Sequence, residues 1–356
     1  MSEKIRFAVA GSGWRALFYV RAARRLPDWF ELTGVLCHTR EKAQAFAREH
    51  GVKAVSSLEA LLEDAPDFVV TCVRKADMAG MVTQLLAMGV PVLSETPLAT
   101  DVNTLRSVYE TQRRTGTPLD LAEQYALYPT HMARRAAIDR GLLGEVVSCW
   151  LSLAHDYHGV SLLRHYLRPD ERRVEIRARQ MNTPILVTGG RGGLTADGET
   201  GYEIRTLAEL AYADGRRGLY DFSGTQYHSA IRSNHIRVLG TLGEIFDDDI
   251  RYADGNSRPQ QTRLDVRRDR MTGTIRAIYL LGEEVYRCPF PADVMLDEDE
   301  TAVALTLLRM GRETLHGGAP YPDLYRDAYL SCLLTGEAVR SGLAVTQTMP
   351  WDETQK

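Results

Sequence analysis

The sequence predicts an α/β protein in which a doubly wound parallel sheet of Rossmann type is followed by an α+β domain with an open, mostly antiparallel sheet. Three observations carry this. The first third of the chain alternates apolar runs of four to six residues with helix-spaced stretches of ten or more. Such strands must be parallel, joined by right-handed helical crossovers that cover both faces. From about Val174 the pattern becomes strand after strand, with Asp214-Gly215 set as a hairpin turn. Helical spacing returns at about Glu298–Leu315 and Asp323–Val339. A chain of 356 residues suits two domains at roughly 100–200 residues each. The change of pattern sets them at 1–125 and 126–356.

Each element has a local reason. Ile5–Ala10 is an apolar run that ends at Gly11, and Trp14–Leu26 is a helix that stops before Pro27. Glu31–Cys37 is the second strand. Glu41–His50 is a helix closed by Gly51. Ser56 and Glu59 form a capping box that opens a helix over Leu58–Glu63. Phe68–Val73 is a strand, Met78–Met88 a helix closed by Gly89, and Val90–Leu93 a strand. Asp101 caps a helix to about Arg114, and Leu119–Ala122 closes the sheet. The second domain opens with a helix at Pro129–Arg140, a strand at Val146–Leu153 and a short helix at Val160–Leu167. Strands follow at Val174–Gln180, Ile185–Thr188, Ile204–Tyr212, Leu219–Phe222, His235–Leu239 and Thr274–Leu280. The glycine-rich stretch 189–193 reads as a surface loop.

Composition narrows the function. Lys and Arg number 43 against 47 Asp and Glu, a net charge of -4, which argues against a dedicated nucleic-acid binder. No run approaches the ~18 apolar residues of a membrane span, and the amino terminus lacks an apolar leader. The five cysteines include no Cys-x-x-Cys pair. They read as reduced thiols in a cytoplasmic protein, with no metal site. Only five of the 43 basic residues are lysine: Lys4, Lys42, Lys53, Lys75 and Lys356.

Gly11-Ser12-Gly13-Trp14-Arg15-Ala16 spells G-x-G-x-x-A between a strand and a helix. The first glycine permits the turn, the second lets a pyrophosphate approach the backbone, and the small Ala16 allows close helix–strand packing. The helix amino terminus then favours the phosphates. The second strand ends in Cys37-His38-Thr39-Arg40 with no acid before Glu41. A hydroxyl and a guanidinium there suit a 2′-phosphate. The expected cofactor is therefore NADP, with NAD also possible. Val73, which ends the third strand, and Arg74 after it should border it.

Further motifs stand beside this turn: Gly89-Val90-Pro91-Val92-Leu93-Ser94-Glu95-Thr96-Pro97-Leu98-Ala99, Gly141-Leu142-Leu143-Gly144-Glu145-Val146 and Gly240-Thr241-Leu242-Gly243-Glu244-Ile245. Together they resemble the Gfo/Idh/MocA family (glucose–fructose oxidoreductase, inositol dehydrogenase and relatives) over nearly the whole chain. The resemblance implies a Rossmann domain, a carboxy-terminal α/β domain, and homodimers or homotetramers built through its sheet. It also implies NAD(P)-linked chemistry on sugars, cyclitols or their derivatives, with Glu95, Thr96 and Pro97 at the cofactor. The departures from the family pattern matter. Thr96 stands where the family carries the lysine of Glu-Lys-Pro. Where the family has Asp-x-x-x-His, this chain has Tyr157-His158-Gly159-Val160-Ser161, and a further acid becomes Arg164.

Oxidation or reduction at an oxygen-bearing carbon needs a proton donor or acceptor, worth ~10²–10⁴-fold. The candidates are Tyr157 and His158, beside His155 and Asp156, and Lys75 if it is desolvated near the nicotinamide ribose. Gln124 is a candidate carboxamide contact and Tyr125 a candidate substrate wall. Ser161, Arg164 and His165 are expected to face substrate. Arg164 in place of an acid suggests an anionic substrate, and a structural ion pair is the alternative. The leading expectation is an oxidoreductase acting on a small polar molecule. The alternatives are a dinucleotide-binding protein without turnover, or a cofactor-retaining enzyme of net non-redox elimination or glycoside cleavage.

Overall fold

A computed structural model describes residues 4–169, 172–190, 192–318 and 324–351. Arg191, Asp323 and Lys356 lie outside them. The chain forms two compact units. The first comprises residues 1–129, 268–276 and 288–328, and the second residues 130–267, 277–287 and 329–356.

The chain runs β1 (Ile5–Ala10), α1 (Ala16–Arg25), β2 (Phe30–Leu36), α2 (Arg40–His50), β3 (Ala54–Val55), α3 (Leu58–Leu62), β4 (Phe68–Thr71), α4 (Lys75–Ala87), β5 (Val92–Ser94), α5 (Val102–Thr115) and β6 (Leu119–Leu121). The six strands form one parallel sheet in the order β3-β2-β1-β4-β5-β6. This is the doubly wound order the alternating pattern predicts, with the strand order reversing at β1 and β4. Phe7–Ala10 and Phe68–Val70 have no exposed surface, as strands covered on both faces should. Thr39 caps α2, accepting from Lys42 N at 3.2 Å, and Asp101 caps α5, accepting from Thr104 N at 2.9 Å. The cap of α3 is Ser57 rather than Ser56: its hydroxyl accepts from Ala60 N at 3.3 Å, so the helix starts at Leu58 with Glu59 in its first turn.

In the second unit come α6 (Pro129–Asp139), β7 (Val146–Ser152), α7 (Asp156–Leu167), β8 (Val174–Leu186), the two-residue strands β9 (Gly189–Gly190) and β10 (Gly193–Leu194), β11 (Thr200–Tyr212) and β12 (Arg217–Ser223). Next are β13 (His235–Gly240), β14 (Gly243–Phe246), β15 (Asp249–Ala253), β16 (Pro259–Arg263), β17 (Asp265–Arg268), β18 (Ile275–Leu280) and β19 (Glu283–Arg287). The chain ends with α8 (Glu298–Arg312), α9 (Leu324–Cys332), α10 (Val339–Ser341) and β20 (Ala344–Thr346). Nine strands make one open sheet, β16-β15-β14-β13-β7-β12-β11-β8-β20, antiparallel except for β7 with β12. Helix α7 lies on β7 and β12. A Cβ at Gly159 would stand 2.4 Å from the Tyr220 ring, so glycine sets how closely the helix seats.

Three expectations in the second unit need correction, the first being the stretch 189–193, read as a surface loop, where Gly189–Gly190 pairs antiparallel with Gly193–Leu194. The strands foreseen at Val174–Gln180 and Ile185–Thr188 are one continuous strand, β8. Pro184 does not break it, because β20 pairs only with Val174–Ile176 and the strand is an edge further along. The short helix foreseen from Val160 begins at Asp156, so Tyr157 and His158 are helical residues.

Within the first unit, α8 packs on α1 and β1. A Cβ at Gly311 would lie 2.6 Å from Ile5. Buried Asp120 on β6 accepts from Arg309 Nε at 2.8 Å, and Glu300 accepts from Arg21 Nε at 2.8 Å and from Arg25. Segment 288–328 is thus held to the Rossmann sheet by charge pairs as well as by apolar packing.

Candidate functional site

The glycine turn separates two requirements. Gly11 has φ +123°, and a Cβ on it would lie 2.4 Å from the Cys72 carbonyl oxygen, so the fold itself requires this glycine. Gly13 has no such need: its φ is not left-handed, and a Cβ there would meet nothing within 4 Å. Open space above the second glycine, at the start of a ten-residue helix, is what a pyrophosphate requires. Ala16 is fully buried, and Trp14, 58% exposed, sets its ring edge-on to Phe18.

Arg15, at the amino end of α1, turns inward. Its Nε donates to Glu95 Oε1 at 2.7 Å and its Nη1 to Asp299 Oδ2 at 2.8 Å. Tyr19 donates to the same Glu95 oxygen at 2.5 Å. Asp299 Oδ1 accepts from Gln124 Nε2 at 3.1 Å and from Tyr128 at 2.9 Å. Burial opposes charge on Arg15, but Glu95 and Asp299 outweigh it and raise its pKa well above the usual guanidinium value. Burial, reinforced by Glu95, pushes the Tyr19 phenol and the Cys72 thiol up. Burial and Asp299 do the same to Tyr128. Two buried atoms of this network have no hydrogen-bond partner, Arg15 Nη2 and Gln124 Oε1.

The other polar cluster is in the second unit, at the start of α7. Tyr227 Oη lies 2.6 Å from His155 Nδ1 and accepts from His155 N at 3.1 Å. The His158 ring packs edge-on against His155, with centroids 5.1 Å apart. Asp156 has φ +40°, a strained conformation for a residue with a side chain, and its N–H donates to Tyr220 Oη at 3.0 Å. Strain of this kind collects at functional sites. Tyr227 comes from a short turn over Gly224–Tyr227, held by a capping box between Ser223 and Gln226.

The expected residues fall out unevenly. Tyr157 and Ser161 are 1% exposed and His158 7%. Lys75 opens α4 and is exposed, so it lacks the burial an activated lysine needs. Thr39 is spent partly as a helix cap, while His38 and Arg40 are exposed. Arg74 pairs with Asp77 at 2.7 Å. Val73, Ser12, Thr96 and Pro97 are half-buried. Tyr125 stacks on Tyr128 at 4.9 Å. Arg164 and His165 are both half-buried near the end of α7. His165 sits among Arg135, Arg168 and Asp139, and burial and the two arginines lower its pKa to about 4. Sequence reasoning missed Tyr19, Tyr128, Tyr227 and Asp299. The acidic start of α8, Asp297–Glu300, forms a capping box in the structure, a local pattern that says nothing of Asp299's partner Arg15, 284 positions away.

Residues 5–122 match the model of an oxidoreductase family with an NAD-binding Rossmann fold, Gfo/Idh/MocA. That match spans the Rossmann part of the chain. No curated protein matches the chain by sequence. Among solved structures the likeness is one of fold. An oxidoreductase from Agrobacterium radiobacter in complex with NAD+, L-tartaric acid and magnesium is 14% identical, covers 97% of this chain and 98% of its own, and has a TM-score of 0.68. Levoglucosan dehydrogenase in complex with NADH and levoglucosan is 13% identical, covering 97% and 100%, with a TM-score of 0.72. An oxidoreductase from Sinorhizobium meliloti is 16% identical, covering 97% and 100%, with a TM-score of 0.67. A dinucleotide fits the Rossmann part on the chain's own terms: the turn is open at Gly13, and two buried polar atoms close by in the network lack partners. Among the described residues, no helix is long and apolar enough to cross a membrane.

Proposed function

We propose that the protein is an NAD(P)-dependent oxidoreductase acting on a sugar, cyclitol or related small polar molecule. The observation that carries this reading is Gly13, a glycine for which the fold has no use and a bound pyrophosphate does. Gly11–Ala16 would hold the pyrophosphate, and Arg15, Glu95 and Gln124 would border the nicotinamide. The coenzyme, when bound, supplies a hydride acceptor or donor. We favour NADP, because the end of β2 offers exposed His38 and Arg40 and no carboxylate before Glu41. The levoglucosan, tartaric acid and NADH named for the structural neighbours support the substrate class and the chemistry.

The chain's own residues must move the proton. We assign this to the start of α7. His155 is half-buried and its Nδ1 lies within hydrogen-bond distance of Tyr227 Oη, at 2.6 Å. The imidazole can take a proton from a hydroxyl, or return one to a carbonyl, near neutral pH. His158, packed on His155, and Tyr157 act behind it as buried positioning groups. Thr96 can hydrogen-bond but cannot serve as an acid near neutrality.

The test is a panel of sugars, cyclitols and hydroxy acids with NAD+ and NADP+, read at 340 nm. Turnover is expected with some member, and His155→Asn should lower kcat by ~10²–10⁴-fold with coenzyme affinity unchanged. Coenzyme binding without turnover across the panel would support a binding protein instead. Substrate loss at constant absorbance would support a net non-redox enzyme.

A further inference from the structure

A hydroxyl, an imidazole and a carboxylate are linked in series in the second unit. Ser233 Oγ lies 2.7 Å from His235 Nε2, and His235 Nδ1 lies 2.9 Å from Asp247 Oδ2. A carboxylate at Nδ1 keeps the ring proton on that nitrogen, so Nε2 is left to accept from the serine hydroxyl. Ser233 is exposed, while His235 and Asp247 are half-buried.

Each member is held from outside the trio. The imidazole is flanked by the near-parallel rings of Trp150 on β7 and Phe246 on β14, with centroids 6.4 and 5.7 Å away. Asp247 turns the chain between β14 and β15 with φ +52°. Its N–H donates to the Ile236 carbonyl at 2.9 Å, its Oδ1 accepts from Ile236 N at 3.0 Å, and its own carbonyl accepts from buried Arg134 Nε at 2.7 Å. The serine segment is pinned on both sides. Arg232 pairs with buried Glu203 at 2.8 Å, and buried Gln226 Nε2 donates to the Ser233 carbonyl at 3.1 Å. Fixing by packing and outer hydrogen bonds is what a working constellation requires and a passing surface contact lacks.

We propose that Ser233 and His235 are the catalytic residues of an acyl-transfer site that hydrolyses carboxylic esters of small acyl groups, with Asp247 as their positioning residue. Ser233 Oγ bonds the ester carbonyl carbon as its proton passes to His235 Nε2. The bond from that carbon to the alcohol oxygen then breaks, the electron pair stays with the leaving oxygen, and Nε2 returns the proton to it. Water repeats the two transfers, which releases the carboxylic acid and restores the serine. Asn234, exposed and next to the nucleophile, is the oxyanion donor: its Oδ1 accepts from Gln226 Nε2 at 3.5 Å, which leaves its NH2 group to donate. Phe246, 40% exposed, offers the acyl group an apolar wall. This activity goes beyond the coenzyme chemistry and does not depend on it.

The experiment treats the full chain with p-nitrophenyl acetate and, separately, with a fluorophosphonate followed by peptide mass spectrometry. The folded chain is expected to hydrolyse the ester faster than the same chain unfolded in urea, whose nine histidines set the background of free imidazole. The fluorophosphonate is expected on Ser233. Ser233→Ala alters an exposed side chain, so folding should be intact by circular dichroism while the label is lost and the rate falls to background. His235→Gln should act alike, a general base being worth ~10²–10⁴-fold. Asp247→Asn should lower kcat and leave KM unchanged, because its carboxylate acts only through the imidazole. Wild-type protein that takes no label at Ser233, or hydrolyses no faster than the unfolded chain, overturns the proposal. So does a Ser233→Ala variant that hydrolyses at the wild-type rate.

Discussion

Arg15 Nε sits 2.7 Å from Glu95 Oε1, joining the glycine turn to the Glu-Thr-Pro segment across eighty positions of sequence. The family resemblance implies a lysine where this chain has Thr96, with Lys75 as its candidate replacement. The cation that pairs with Glu95 comes instead from the turn itself, already bound to Asp299 on its other arm.

That pairing predicts a large stability effect. The side chains of Arg15 and Glu95 are 18% and 8% exposed. Arg15→Met leaves Glu95 buried with only the Tyr19 hydroxyl, and Asp299 with only neutral donors. Removing one partner of a buried pair costs about 3–5 kcal/mol. Urea unfolding of the variant should show a loss of that order, and a loss below about 1 kcal/mol would mean the pair behaves as a surface one.

Gly159→Ala should destabilise by about 1–3 kcal/mol through overpacking, because the new Cβ would fall 2.4 Å from the Tyr220 ring. Shrinking the ring site with Tyr220→Leu should restore part of the loss. Thermal unfolding of the two single variants and the double variant checks this. Simple additivity would count against the contact.

His165 carries a pH signature. Its folded pKa is about 4 against an ordinary value of 6.5, lowered by burial and by Arg135 and Arg168. The unfolded chain therefore binds more protons between these values. Neutral His165 contributes fully to stability above about pH 6.5, and the contribution is lost as pH falls toward 4. The difference between these two values corresponds to an upper bound of about 3.4 kcal/mol. His131 is lowered too, first by burial and then by Arg134 and His165, and acts in the same direction. His165→Gln should flatten the rise of unfolding free energy from pH 4 to 6.5, measured by urea titration.

Coenzyme choice should respond to the end of β2. Arg40→Ala is expected to weaken NADP+ by roughly tenfold, the value of one exposed charge-assisted phosphate contact, and to leave NAD+ unchanged. Calorimetry with both coenzymes decides. Equal effects on the two would assign Arg40 to the solvated surface.

The Rossmann half was legible because its signals are local. Apolar runs, glycine stops and the cap Asp101 each report within four residues. The single strand β8 was not legible, because its continuity through Pro184 depends on where β20 ends. The same limit hid Asp299 and Tyr227. Arg15 and Asp299 are 284 positions apart, and Tyr227 meets His155 across 72. Periodicity reports which face of an element is buried but not which distant polar partner meets it. Exposure is equally beyond a residue count: the scarcity of lysine singles out Lys75 but does not say that the fold leaves it exposed at the start of α4.

The measurement that goes to the centre is a titration of Gly13→Val with NADPH and NADH, followed by coenzyme fluorescence. A side chain there has room in the protein alone, so folding should be unaffected while coenzyme binding is lost relative to wild type. Wild-type protein that binds neither coenzyme, or a valine variant that binds as well as wild type, would contradict the account.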